Sequence, residues 1–130
     1  MAKSKLNNKK READGHVFDS VKELKRYGEL KLLEQSGEIN NLKLQVPFEL
    51  IPAQHEYYER YSDKTGKRIK DGKRLVEYGI KYIADFVYLD KNGKIHVEDV
   101  KGFRGGATYN LFVLKRKLML YIHGIRIEEI

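Results

Sequence analysis

Apolar and polar positions change period several times along the chain, and each change marks an element. Over residues 19–36, "DSVKELKRYGELKLLEQS", Val21, Leu24, Gly28 and Leu32 recur at helical spacing, which predicts a helix with that stripe against a core. Ser20 followed by Glu23 makes a capping box at its start, and Gly37 supplies the stop. Residues 42–51, "LKLQVPFELI", alternate instead. Leu42, Leu44, Val46, Phe48 and Leu50 read as one inward row, with Lys43, Gln45 and Glu49 facing away. This is a strand, and Pro47 points to a sheet edge or a bulge.

Residues 52–74 lose the pattern and carry the turn signals "KTGK" and "KDGK", which predicts a protruding basic loop or loose hairpin. Its Tyr57, Tyr58 and Tyr61 can stack on bases or pin the loop to the domain, and pinning is the simpler expectation. Residues 76–89, "VEYGIKYIADFVYL", form a strand rich in β-branched and aromatic residues. Asn92-Gly93, ahead of "KIHVEDVKG", is a hairpin signal. Residues 107–122 make a second helix that Gly124 ends, and "IRIEEI" closes as a short strand. The order is helix, strand, strand, strand, helix, strand, an α/β (α+β) arrangement with a central mixed sheet flanked by helices.

With 130 residues, 41% of them hydrophobic, the chain suffices for one packed domain and not for wholesale disorder. We expect a basic flexible arm over 1–15, bearing Lys3, Lys5, Lys9, Lys10 and Arg11, and a single domain over 16–130. Without cysteine, and with four scattered histidines, neither disulfides nor zinc are expected. No apolar run is long enough for a membrane span, and the N-terminus lacks the apolar centre of a signal peptide. A cytoplasmic protein with no membrane partner is the expectation. Lys and Arg total 26 against 19 Asp and Glu, a formal charge of +7, which suggests a polyanionic partner such as nucleic acid.

"VEDVKG", residues 97–102, places two carboxylates and a lysine in a run that otherwise reads as a buried strand. Alternation sends Val97, Asp99 and Lys101 one way and His96, Glu98 and Val100 the other. The preceding strand holds its own acid, Asp85. If the turn is Lys91-Asn92-Gly93 with Gly93 left-handed, the hairpin pairs 89 with 95 and hence 85 with 99. Cβ atoms across such a pair lie roughly 4.5–5.5 Å apart, so the two charges repel unless a cation lies between them. A loop of different length would break the coincidence. Oxygen ligands without histidine or cysteine favour Mg²⁺ or Mn²⁺. The plainer reading is a structural Asp99–Lys101 pair and an unrelated Asp85.

Asp85, a turn, then Asp99-Val100-Lys101 resembles the signature of the PD-(D/E)XK nuclease superfamily, and the element order resembles its restriction-endonuclease-like αβββαβ core. More narrowly, residues 15–51 and 75–130 resemble a phage-borne family of small PD-(D/E)XK proteins, Holliday-junction-resolvase-like. Ala84 precedes Asp85 where the motif's name has Pro. The resemblance implies metal ligation by Asp85, Asp99 and the Val100 carbonyl, with Lys101 at the nucleophile. It also implies an acid on the first helix: "FDSVKE" nominates Glu23, with Glu29 as fallback. Gln45, Lys115, Lys117, Arg104, Lys67 and Arg68 are candidates for contacts to DNA. His96, His123 and Glu98 stay outside the site.

The resemblance thus implies a Mg²⁺-dependent endonuclease, with Mn²⁺ as a substitute. Its products would carry 5′-phosphate and 3′-hydroxyl ends, from branched DNA in recombination or replication, in the host cytoplasm if phage-encoded. Resolving a junction takes two coordinated cuts and hence a homodimer. The alternatives are a nicking or general endonuclease, a non-catalytic DNA-binding accessory protein, or an inhibitor that binds another protein.

Overall fold

The computed structural model describes residues 11–130. Strands β1 (Glu12–Ala13) and β2 (His16–Val17) pair as a small hairpin. The described structure therefore reaches back into the arm expected over 1–15, with Phe18 buried and its N–H donating to the Arg11 carbonyl at 2.8 Å. Lys3, Lys5, Lys9 and Lys10 lie outside the described residues.

Helix α1 (Val21–Gln35) is capped by the Ser20 hydroxyl, which accepts from the Glu23 N–H at 3.0 Å. Its buried face is not the expected stripe. Val21 and Leu32 are exposed, and Glu23, Tyr27 and Leu30 face inward. Tyr27 and Leu30 pack with Phe18, Ile39, Phe86 and Tyr88 in one apolar cluster. The stripe is rotated because a carboxylate occupies a core-facing position.

Strands β3 (Ile39–Ile51), β6 (Ile80–Asp90), β7 (Ile95–Asp99) and β8 (Glu128–Glu129) form a mixed sheet in the order β3-β6-β7-β8. The first three run antiparallel and β8 lies parallel to β7. Pro47 fits because β3 is an edge strand. Helix α2 (Gly106–His123) connects β7 to β8 and ends on Gly124, whose φ of 67° is left-handed. Its Phe112 and Met119 pack with Tyr82, Ala84, Val87, Val97 and Leu50 in a second cluster. Leu30 and Met119 are wholly buried, worth about 1.5–3 kcal/mol each.

The β3–β6 ribbon switches its buried faces part-way along. Leu42 and Leu44 pack in the α1 cluster, whereas Val46, Phe48 and Leu50 pack in the α2 cluster. On β6, Tyr82 and Ala84 belong with α2 and Phe86 and Tyr88 with α1. Strict alternation along β3 therefore fails. The break falls at Gln45, whose φ of 51° is left-handed, and at Asp85 on the partner strand.

The segment at 52–74 is a hairpin rather than a loop: β4 (Gln54–Tyr61) and β5 (Arg68–Glu77) form a separate two-stranded sheet. The strand expected over 76–89 is correspondingly divided. At the division, a Cβ on Gly79 would fall 2.8 Å from the Ile51 carbonyl oxygen, so the chain needs a glycine there to turn so closely.

Candidate active site

The β6–β7 turn closes as the sequence implies. Gly93 has a φ of 79°, and the Asp90 N–H donates to the Lys94 carbonyl at 2.9 Å. Leu89 pairs with Ile95 and Phe86 with Glu98, the last pair of the ladder, with Asp85 and Asp99 the next residues beyond it. β3 runs beside β6 with Leu44 opposite Phe86 and Val46 opposite Ala84, so Gln45 faces Asp85 from the other side. Gln45, Asp85 and Asp99 make one row across three strands.

Each acid in the row is held. Asp85 accepts from the Val100 N–H at 2.8 Å and from the Gln45 amide at 3.4 Å. Burial, helped by the charge of Asp99, pushes its carboxyl above the usual carboxylate range, against the pull of the Val100 N–H. Asp99, 7% exposed, accepts from the Tyr82 hydroxyl at 2.7 Å and pairs with the Lys101 ammonium at 2.8 Å. Burial and the Asp99 charge drive the Tyr82 phenol far up, so it stays a donor. The Lys101 ammonium lies 3.5 Å from the centroid of the Phe112 ring, and the Lys101 carbonyl accepts from Lys22 at 2.6 Å.

Glu23 joins the row from α1. It is buried, and its carboxylate accepts from the Gln45 amide at 3.3 Å. Burial first, then the charges of Asp85 and Asp19, push its carboxyl up to about 7. Glu29 is half-exposed and pairs with Arg26 at 3.1 Å, so it does not belong to the row. Glu98 is wholly buried on the α1 side, where Arg26 donates to both its oxygens at 2.7 and 2.6 Å and Tyr88 donates as well.

The remaining candidates scatter. Lys115 lines a groove of about 280 Å³ with Lys101, Lys81, Tyr82 and Thr108. Lys117 lines a different one with Arg116, Arg126 and Glu129. Arg104 lies 3.6 Å from Glu129, and Lys67 and Arg68 sit on the β4–β5 hairpin, where Arg68 pairs with Asp71 at 3.0 Å. His96 bridges Asp90 and Glu128, and His123 meets the Glu49 carbonyl. Tyr82, Lys22 and Lys81 were not singled out from the sequence. Only the placement of Tyr82 three residues before Asp85 on one strand could have flagged any of them.

Among the described residues, no three acidic or histidine side chains stand close enough together to cage a metal ion. The donor set nevertheless suits a hard divalent cation in kind: all oxygen, largely buried, with two carboxyls raised by burial and then by neighbouring charge. The Gln45 amide lies between Glu23 and Asp85, and the Lys101 ammonium lies against Asp99. The ammonium offsets one negative charge of the row, and the neutral amide donates to two of its carboxylates.

Fold and site together define an α+β protein with a crowded acidic row at the meeting of its two helices and sheet. The chain belongs to a family described as protein of unknown function (DUF1064), whose model matches residues 3–125. No curated protein matches it.

Proposed function

We propose that the chain is a divalent-metal-dependent DNA endonuclease of PD-(D/E)XK type, acting on branched DNA. The observation that carries this reading is the grouping of Glu23 and Asp85 on the Gln45 amide beside the Asp99–Lys101 pair. A protein released from catalysis has no reason to hold three carboxylates this close, with Glu23 and Asp99 buried and burial and neighbouring charge raising Glu23 and Asp85.

Asp85, Asp99 and the Val100 carbonyl, with Glu23, would hold Mg²⁺ or Mn²⁺. Bound there, the ion supplies a more acidic water and neutralises charge on the phosphate. The Val100 N–H fixes Asp85, and the Tyr82 hydroxyl fixes Asp99. Lys101 sits where its ammonium can leave Asp99 for a phosphate oxygen or orient the attacking water. With no ion bound, Glu23 carries a proton more readily than an ordinary carboxylate, and that proton would be displaced on ion binding. Lys81 and Lys115, beside Lys101, offer the flanking phosphates two further cations. Attack at phosphorus breaks the bond to the 3′ oxygen, leaving 3′-hydroxyl and 5′-phosphate ends.

The test is incubation with labelled four-way junction, fork, nicked duplex, linear duplex and single-stranded DNA, with Mg²⁺, Mn²⁺ or EDTA. Metal-dependent cutting that Asp85→Ala and Lys101→Ala both abolish, with DNA binding retained, is expected. Tight, salt-sensitive binding with no cutting of any substrate would instead favour an accessory DNA-binding protein. Symmetric cuts confined to the junction, by a dimer, would make it a resolvase.

A further inference from the structure

β3 and β6 break their register near Ile51 and Ile80, and the ribbon continues as the β4–β5 hairpin. A two-stranded hairpin is marginal alone in water. Within this one only Gly72 is buried, and most side chains are exposed.

The two faces of the hairpin differ. On one, the Tyr58 ring lies flat over Gly72, where a Cβ would fall 2.1 Å from the ring. The Arg74 guanidinium covers that ring 4.5 Å from its centroid and pairs with Glu56 at 3.0 Å. This face is satisfied from within and stiffens the ribbon. Alternation along β4 turns Tyr57 and Tyr61 to the other face. They are 66% and 54% exposed, and neither ring has an aromatic or cationic partner among the described residues. Tyr57 faces Lys73 across the strands, and Tyr61, whose hydroxyl donates to Glu59 at 2.6 Å, faces Arg68, which a phosphate would have to draw from Asp71 at 3.0 Å. Arg60, Lys64, Lys67, Lys70 and Lys73 have no acidic partner among the described residues.

We propose that this face, with Tyr57, Tyr61, Lys73 and Arg68, is an arm that binds single-stranded DNA. Bases stack on the two rings while the cations meet the phosphates. Duplex bases are already stacked and present only their edges, so the face fits an unpaired strand. The choice of DNA rests on the nuclease reading above. Tyr57 stands on the β4–β5 sheet and the acidic row on the separate β3-β6-β7-β8 sheet, so arm and row are distinct elements. The arm therefore sets affinity rather than the chemical step.

The chain contains no tryptophan, so Tyr57→Trp and Tyr61→Trp give clean fluorescent reporters. The experiment uses the Lys101→Ala protein in EDTA, with an oligo-dT strand and a duplex of equal length. We expect the tryptophan emission of both reporters to be quenched by oligo-dT and not by duplex. Tyr57→Ala and Tyr61→Ala each weaken oligo-dT binding roughly 5- to 150-fold, the equivalent of the about 1–3 kcal/mol of one stacked base. Tyr78→Ala, at an exposed ring off this face, leaves binding unchanged. Equal affinity in the alanine variants, or unquenched emission, overturns the proposal. So does an alanine variant that instead changes the oligomeric state, which would make the arm a contact between copies. Because no cutting is measured, a chain that binds through the arm but never cleaves DNA removes only the nuclease reading. One that cleaves with a normal arm-variant affinity removes only the arm.

Discussion

Gln45 faces Asp85 across β3 and β6, with its amide 3.4 Å from one carboxylate oxygen and its backbone in the left-handed region at a φ of 51°. That conformation costs a residue with a Cβ about 1–2 kcal/mol, and here the same residue reaches both Asp85 and Glu23. It also marks where the ribbon exchanges its buried faces. Gln45→Gly relieves the backbone cost but adds chain entropy, so its stability should stay within about 1 kcal/mol of the parent. Gln45→Val, β-branched, should lose more than that. If the amide orders the acidic row, Gln45→Gly cuts DNA poorly despite its intact fold. Denaturation midpoints measured beside cleavage rates check both statements. Full cleavage by Gln45→Gly would leave the amide a backbone role only.

How far the sequence discloses this site follows from how local each determinant is. The nearness of Asp85 and Asp99 was legible because a short turn at Asn92-Gly93 sets the β6–β7 register by itself. Element order was legible for the same reason: periodicity and stop signals are local. The buried face of α1 was not. Apolar periodicity favours Val21 and Leu32, while the chain turns Glu23 inward beside Tyr27 and Leu30. A carboxylate on a core face breaks the pattern at the site itself, where such breaks are to be expected. The flip at Gln45 has no signature either, because a left-handed residue other than glycine leaves no mark in composition. The hydrogen bond from Tyr82 to Asp99 arises only once β6 and β7 are paired.

Arg26 and Glu98 form the second buried charge cluster, and its role is structural. Glu98 is wholly buried, and Arg26 and Tyr88 satisfy its oxygens. The guanidinium is held well above its ordinary value, first by its hydrogen bond to Glu98, so it never gives up its charge. Removing one partner leaves the other charge buried and uncompensated. Arg26→Ala should therefore cost about 3–5 kcal/mol in chemical denaturation. Any loss of cleavage should track the unfolded fraction and recover under conditions that restore the fold. Low cleavage by fully folded Arg26→Ala protein would instead place Arg26 in the chemistry.

His96, on β7, ties together its two neighbouring strands, β6 and β8. Its ring contacts Asp90 and Glu128, each at 2.8 Å, and lies parallel to Tyr88 at 5.2 Å between centroids. The hydrogen bond to Asp90 is the main cause that raises its pKa, with Glu128 adding to it. A raised histidine binds its proton more tightly when folded. Its stabilisation is complete below the unfolded value near 6.5 and is lost as pH rises through the folded value. Thermal midpoints should thus fall across that window, and His96→Gln should flatten the fall. An unchanged profile in His96→Gln would mean that other groups set it.

Glu23 is a carboxylate raised in the same sense as His96, and a bound cation would compete with its proton. Its folded pKa of about 7 stands above the ordinary 4.5, because burial and the charge of Asp85 disfavour the ionised form. The folded chain therefore holds that proton more tightly than the unfolded chain does. Its contribution is full below about 4.5 and disappears as pH rises through about 7, and Asp85, also raised, acts in the same direction. Without divalent metal, stability should fall between those values, and Glu23→Gln should remove part of the fall. A cation among the carboxylates favours their ionised forms and reverses the penalty. Millimolar Mg²⁺ should raise the thermal midpoint at pH 8 and barely at pH 5, where the protons compete. Asp85→Asn should abolish the rise, and Lys101→Ala, which frees Asp99 from its ammonium, should keep or enlarge it. A midpoint that ignores Mg²⁺ and Mn²⁺ at pH 8 would count against a metal in this row, while its failure only in Asp85→Asn would assign the ion to it.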